Sequence, residues 1–338
     1  MIKLEKASLE KLKEYIAGAS NILILNHSNP DGDTVGAAQA LYLILNKLNK
    51  KASLAAPDPL PDFLRWLPAA SSVKVFDGET GEIPEAFRQA DLLFCMDFNA
   101  PHRVGKMSDL LSDFKGKTVL IDHHLYPDEE FFDLMFSYPE SSSTSELLYL
   151  ILKEIGYYEL ISREIAENLF VGIMTDTGSF AHSCDRSDVF RSTAELIDKG
   201  GLKVKAIHDR IYNNFGENRL RFLGYCISSK LVVKAGKKTA YIWVTLDEME
   251  KYGVDEGDLE GLVNYALSIK GIELAVLLKE KKDFIKLSFR SKSTFSVNDF
   301  ARKYFNGGGH KNASGGRFYD TMENTLKYLE SILETLEI

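Results

Sequence analysis

The sequence predicts a two-domain α/β protein: a parallel-sheet domain over residues 1–188, a helical linker over 189–229 and a smaller α/β domain over 230–338. Three observations carry the prediction. In the first half, short continuous apolar runs alternate with helical stretches such as 36–48, as repeated βαβ units around a sheet buried on both faces would. In the second half, two strand-like runs are joined by a tight turn, which suits a hairpin. A chain of 338 residues is also long for one core and suits two.

Four apolar runs of the first half read as buried strands, and each stops on a carboxylate or imidazole: Asn21-Ile-Leu-Ile-Leu-Asn-His27, Asp91-Leu-Leu-Phe-Cys-Met-Asp97, Thr118-Val-Leu-Ile-Asp122-His123-His124 and Phe170-Val-Gly-Ile-Met-Thr-Asp176. Open α/β sheets bind ligands at the carboxyl ends of their strands, so these residues are expected at one edge. Helices follow over 189–198 and 204–215, broken by Gly200-Gly201, and 219–229 extends the connection. The hairpin spans 230–245 around Ala235-Gly-Lys-Lys. A helix near 258–269, strands near 272–278 and 284–291, a Gly-rich loop over 306–316 and a final helix from Thr321 complete the chain, without repeats or low-complexity tracts.

Composition narrows the function. The N-terminus lacks a signal peptide's h-region, and no apolar stretch approaches the roughly 18 residues that span a bilayer, so a soluble, cytoplasmic protein without membrane partners is expected. Cys95, Cys184 and Cys226 form no Cys-x-x-Cys pair and suggest neither a zinc ribbon nor a disulfide framework. A net charge of -8 argues against stable binding to long nucleic acid. The balance is uneven, because the window 279–317 carries ten Lys or Arg against three acids, a charge of +7 that leaves -15 elsewhere.

His27, Asp31 and Asp33 lie within seven residues, directly after a strand and in a turn opened by Pro30 and Gly32, so one loop can wrap a cation. Singly, Asp31 or Asp33 would read as a helix cap. Adjacent His123 and His124 diverge, one toward metal and the other toward substrate, and Asp97 and Asp176 would be costly unpaired at buried strand ends. Carboxylates and imidazoles without thiolate point to manganese, with cobalt, magnesium, iron or zinc admitted. Six ligands are too many for one ion with an open position and suit two that share a carboxylate. Arg103 follows Asp97 closely enough to reach the same site. Farther along, three consecutive glycines, Gly308 and Gly309 among them, permit close backbone approach to a ligand whose phosphate or base His310 and Lys311 would meet.

The stretches around Asp31, Asp97, Asp122-His123-His124 and Asp176 resemble the four motifs of the DHH phosphoesterase superfamily, and Asn306-Gly-Gly-Gly-His310-Lys-Asn-Ala-Ser-Gly-Gly316 resembles the Gly-rich motif of the DHHA1 domain. The resemblance implies a DHH domain, a DHHA1 domain and an active site in the cleft between them. It implies that His27, Asp31 and Asp97 hold one metal and Asp33, Asp97, His123 and Asp176 the other, with His124 on the scissile phosphate. Asp122 would orient a neighbouring imidazole. Ser142 and Thr144 fall in a segment similar to the family's Ser-Thr-rich stretch, which also reads as a capped helix start able to bind phosphate, and Arg290-Ser291 resembles the DHHA1 position that grips phosphate.

The two-domain architecture is most similar to the bifunctional oligoribonucleases that also remove the 3′-phosphate of adenosine 3′,5′-bisphosphate, here PAP. Such a protein would take short RNA or a nucleotide as substrate, and a homodimer is a family-level expectation. The alternatives are a standalone phosphodiesterase for linear or cyclic dinucleotides and, from another class, a nucleotide sensor without catalysis. An exopolyphosphatase is a weaker fit.

Overall fold

The structure, a computed structural model, describes residues 2–78, 81–292 and 294–336. It divides into two compact units, Met1–Asn214 and Phe215–Ile338. Among the described residues no helix is long and apolar enough to cross a membrane.

The first unit is built on six parallel strands: β1 (Asn21–Leu25), β2 (Lys51–Ala56), β3 (Val73–Val75), β4 (Leu92–Met96), β5 (Lys117–Asp122) and β6 (Leu134–Ser137). Its helices are α1 (Lys6–Gly18), α2 (Gly32–Lys47), α3 (Glu82–Gln89), α4 (Ser108–Ser112), α5 (Thr144–Glu154), α6 (Arg163–Asp176), α7 (Ser187–Gly200) and α8 (Val204–Tyr212). Both faces of the strands are apolar because both are covered. Ile22 and Ile24 of β1 pack in the core that includes α2, α5 and α6, whereas Leu23 and Leu25 point to the opposite core with Ile83 and Phe87 of α3 and Leu111 of α4. The strand order is β3-β2-β1-β4-β5-β6, so the chain reverses direction of winding between β1 and β4. Loops leaving those two strands diverge and open a crevice at their carboxyl ends.

Three of the four apolar runs are strands, as expected. The fourth, Phe170 to Asp176, is the last two turns of α6. A short apolar run has the same appearance in a buried strand and in a helix buried nearly all round, and Asn168 to Met174 is buried throughout. Two glycines permit the close packing of α6: a Cβ on Gly36 of α2 would come within 2.4 Å of the Asn168 carbonyl, and one on Gly172 within 1.9 Å of Ser145 Oγ of α5. The stretch expected as a linker is shared out, since α7 and α8 belong to the first unit and α9 (Glu217–Tyr225) to the second.

The second unit continues with β7 (Leu231–Lys234), β8 (Thr239–Val244), α10 (Leu246–Tyr252), α11 (Leu262–Leu267), β9 (Leu274–Glu280), β10 (Ile285–Ser291), α12 (Val297–Tyr304), β11 (Gly308–Gly309), β12 (Ala313–Phe318) and α13 (Met322–Thr335). The sheet is mixed, in the order β11-β12-β10-β9-β8-β7, with β8 and β9 parallel and the expected β7–β8 hairpin antiparallel. Ile285, Leu287 and Phe289 face a core with Phe300, Phe305 and Leu329, while α11 packs on the other face of β8, β9 and β10. Much of the Gly-rich stretch expected as a loop forms β11 and β12 instead. A Cβ added to Gly307 would lie 2.0 Å from the Gly315 carbonyl oxygen, and Gly309 adopts φ 146°.

Candidate metal centre

The acids and imidazoles collect at the β1–β4 crevice. Past β1 the chain runs through His27 to Asp31, which caps α2 by accepting from the amides of Asp33 and Thr34 at 3.0 and 3.2 Å. The two readings of Asp31 coexist, because Oδ1 caps the helix while Oδ2 lies 3.7 Å from His27 Nε2. Asp33, buried in the first turn of α2, accepts from the Thr144 and Ser145 amides at 2.6 and 2.9 Å. Those amides open α5, whose N-terminus therefore holds a carboxylate of the site. Ser143 caps α5, accepting from the Glu146 amide.

Asp97 follows β4 with φ 64°, a left-handed conformation that Asp tolerates better than most residues. Its amide donates to the Ile121 carbonyl at 3.0 Å, and its carboxylate accepts from Thr144 Oγ at 2.9 Å. After β5 the two imidazoles diverge, with ring planes at 74°. His123 Nε2 lies 3.3 Å from Asp176, 3.6 Å from Asp97 and 3.8 Å from Asp33, and its Nδ1 meets the Ser141 carbonyl at 3.1 Å. His124 Nδ1 lies 2.7 Å from Asp122 and 3.7 Å from Asp97. Among the described residues of the first unit three sets of donors fall within 4.8 Å: His27, Asp31 and Asp97; Asp33, Asp97 and His123; and Asp97, Asp122 and His124. Asp97 is common to all three.

The electrostatics favour added positive charge. Burial raises the Asp33 pKa well above the carboxylate range, and Asp97 and Asp176 add to the effect. Burial likewise pushes Asp176 up to about 6, although His123 pulls it back. Burial opposes protonation of His27 and His123, but the surrounding carboxylates outweigh it and lift both to about 10. Imidazolium protons thus stand where cations would. Oxygen and nitrogen donors without sulfur, arranged around one shared carboxylate, fit two divalent ions.

The sequence of the first unit matches the DHH family, N-terminal domain, over residues 21–173, and that of the second matches the DHHA1 domain over residues 236–337. The chain belongs to the DHH family. It is 29% identical over 319 residues to the bifunctional oligoribonuclease and PAP phosphatase NrnA of Thermus thermophilus, covering 93% of this chain and 90% of the relative. An exopolyphosphatase-related protein of Bacteroides fragilis has a crystal structure that superposes with a TM-score of 0.92 at 38% identity, covering 99% of this chain and 98% of that one. RecJ of Thermus thermophilus in complex with Mn2+ shares the fold at 12% identity, with a TM-score of 0.52 over 98% of this chain and 55% of that one.

The expected substrate residues are placed unevenly. In the DHH unit, the Arg103 carbonyl accepts from the Ser28 amide at 2.8 Å, tying its segment to the first motif loop, and its Nε is buried without a hydrogen-bond partner. Ser142 Oγ is buried and likewise without a partner. Thr144 is engaged with both Asp33 and Asp97. In the DHHA1 unit, Arg290 is half-buried, while Ser291 Oγ donates to the Phe295 carbonyl at 2.7 Å and accepts from Asn312 at 2.9 Å, which anchors the Gly-rich segment. Gly308 and Gly309 pair with Gly315 and Ser314, the His310 amide donates to the Ala313 carbonyl at 2.8 Å, and Lys311 is exposed. Two residues of the DHH unit escaped the sequence reading. Arg186 reaches buried Glu146 at 2.8 Å with its second terminal nitrogen buried and unpaired, and Asn26 has both side-chain polar atoms buried and unpaired. Arg186 carries no local signal, but Asn26, a polar residue ending an apolar run, could have been singled out.

Proposed function

We propose that this DHH protein is a two-metal phosphoesterase that hydrolyses short oligoribonucleotides to mononucleotides and removes the 3′-phosphate of PAP. The observation that carries the reading is the sharing of buried Asp97 among donor sets at the β1–β4 crevice. The similarity to the Thermus thermophilus oligoribonuclease and PAP phosphatase supports the substrate class. His27, Asp31 and Asp97 would hold one ion, and Asp33, Asp97, His123 and Asp176 the other, with manganese first among the candidate metals. When bound, such a pair supplies positive charge at the phosphoryl oxygens and an activated water at neutral pH.

The chain's own residues do the rest. The α5 amides hold Asp33, and Thr144 Oγ holds Asp97, so neither carboxylate can swing away as charge develops beside it. Asp122 fixes the His124 ring through Nδ1, presenting the imidazole to the scissile phosphate in one orientation. Arg103 and Ser142 bring buried, unpartnered polar atoms to bind phosphate oxygens. In the DHHA1 unit, Arg290 and Ser291 grip the nucleotide's other phosphate, and Gly308, Gly309, His310 and Lys311 form the close-approach segment beside it. A cytoplasmic location and a homodimer complete the proposal.

The test is manganese-dependent turnover on RNA of two to five nucleotides, PAP, cyclic dinucleotides and inorganic polyphosphate. Mononucleotides and free phosphate from the first two are expected. The exopolyphosphatase-related relative favours keeping polyphosphate as the second reading. Cleavage of polyphosphate or dinucleotides alone would replace the leading reading, and nucleotide binding without turnover would make the chain a sensor.

A further inference from the structure

One face of the DHHA1 sheet carries a charge arrangement that this chemistry does not use. Register sets Lys279 of β9, Lys286 of β10 and Arg317 of β12 directly opposite one another across three adjacent strands. Like charges so placed repel, and a nearby anion relieves the repulsion. Lys281, on the hairpin between β9 and β10, joins the row. Among the described residues the ion pairs there converge on one carboxylate: Glu256 lies 2.6 Å from Lys286 and 3.6 Å from Lys279, and also pairs with Lys281. Glu260 acts on Lys279 only through space. Lys279 is buried beside Glu256, whereas exposed Arg317 stands at the open end of the row without an ion pair among the described residues.

The surroundings suit a polyanion with flat bases. Beside the row, the Phe284 and Tyr319 rings lie 5.9 Å apart, Tyr319 is 67% exposed, and the Arg317 guanidinium sits 5.3 Å from the Phe284 ring centre. Toward the other end of β10, Ser288 faces exposed Gly315, where even an added Cβ would have only an ordinary contact at 3.7 Å, and Arg290 follows on the same face. Lys286 and Arg290 are four residues apart on one strand, roughly 13 Å, too far for a single phosphate to touch both.

We propose that this face is a second binding site for single-stranded oligonucleotide, taking a phosphodiester on the Lys286–Arg317 row and a base on the Phe284–Tyr319 pair, beyond the nucleotide gripped at Arg290. A cationic row beside an aromatic platform is how single strands are held without sequence preference. The inference rests on the oligonucleotide reading above. PAP has no distal nucleotide to place there, so the site acts on chain length alone.

The experiment is fluorescence anisotropy of a labelled pentaribonucleotide in chelator, with KM for unlabelled pentaribonucleotide and PAP measured in manganese, on the full chain, the double variant Arg317→Ala/Tyr319→Ala and, from another element, Lys281→Glu. The double variant, losing one stacked base and one phosphate contact, should weaken pentanucleotide binding about tenfold or more, Lys281→Glu should weaken it through the reversed charge beside the row, and both should raise the ratio of pentanucleotide KM to PAP KM. An unchanged dissociation constant and an unchanged ratio in both variants would overturn the site. A full chain that turns over neither RNA nor PAP would instead overturn the proposed function, while the anisotropy still reads the site by itself.

Discussion

Asp97 carries more of the candidate site than any other residue, since its carboxylate belongs to three donor sets and is held by Thr144. Asp97→Ala should abolish turnover and leave fewer than two tight manganese equivalents by calorimetry; near-normal rates would sink the two-metal assignment. A second prediction concerns protons. In the metal-free protein the surrounding carboxylates hold His27 and His123 protonated up to about pH 10, yet an imidazole must be neutral to ligate. Each ion should therefore expel a proton, and affinity should rise with pH from 7 to 10 by up to about tenfold per unit per proton. Calorimetry in buffers of different ionisation enthalpy would count the released protons, and pH-independent affinity would contradict the protonated state. The residues brought together here were legible because short-range spacing and the ends of apolar runs carry them: His27, Asp31 and Asp33 in one loop, His123 and His124 side by side. Arg186 was not legible, because its meeting with Glu146 joins positions 40 residues apart and no local pattern announces it.

At the scale of elements, the strands were readable because a doubly covered sheet makes every position apolar, and the hairpin because Ala235-Gly-Lys-Lys interrupts two β-rich runs. The same rule misled at Phe170 to Asp176, where a helix wrapped by α2, α5 and α7 is as uniformly apolar as a central strand. Length should have arbitrated, since the apolar periodicity reaches back to Ile165, giving more than the 4–8 residues a strand takes. That α6 is a helix has a consequence for the site. Gly172 lets it approach α5 so closely that an added Cβ would meet Ser145 Oγ at 1.9 Å and Asp33 Oδ1 at 2.8 Å. Gly172→Ala should then cost about 1–3 kcal/mol by overpacking and, by displacing Ser145, loosen the amide that holds Asp33. Manganese affinity should fall along with the melting temperature. A variant that melts lower but binds manganese normally would show that the α5–α6 contact supports the fold without positioning the ligand.

At the scale of the whole molecule, charge is segregated: acids gather at the DHH crevice, and a +7 window gathers on the DHHA1 unit. Segregation puts like charges together, and Lys279 bears the cost. Burial, with Lys286 beside it, lowers its pKa to about 8 in spite of Glu256. Its folded-state pKa is therefore below the unfolded value of 10.5, and the protonated form favours unfolding. Below pH 8 both states carry the proton and the full penalty is present. As pH rises from 8 to 10.5 the folded state releases the proton first and stability grows; above 10.5 the difference is gone. Lys279→Met keeps the aliphatic stem and removes the charge, so at pH 7 it should stabilise the DHHA1 unit by about 1–3 kcal/mol, given 1.36 kcal/mol per pKa unit. The gain should shrink steadily above pH 8. Trp66 and Trp243 are the two tryptophans and fall in different units, so a Trp66→Phe background leaves Trp243 fluorescence to report the DHHA1 unit alone. The same substitution should weaken pentaribonucleotide binding, because it removes one cation from the row that Lys286 and Arg317 continue. A variant no more stable than the parent at pH 7, or one whose gain does not change between pH 7 and 10, would mean that Glu256 already neutralises Lys279 and that no positive charge is held in reserve for a ligand.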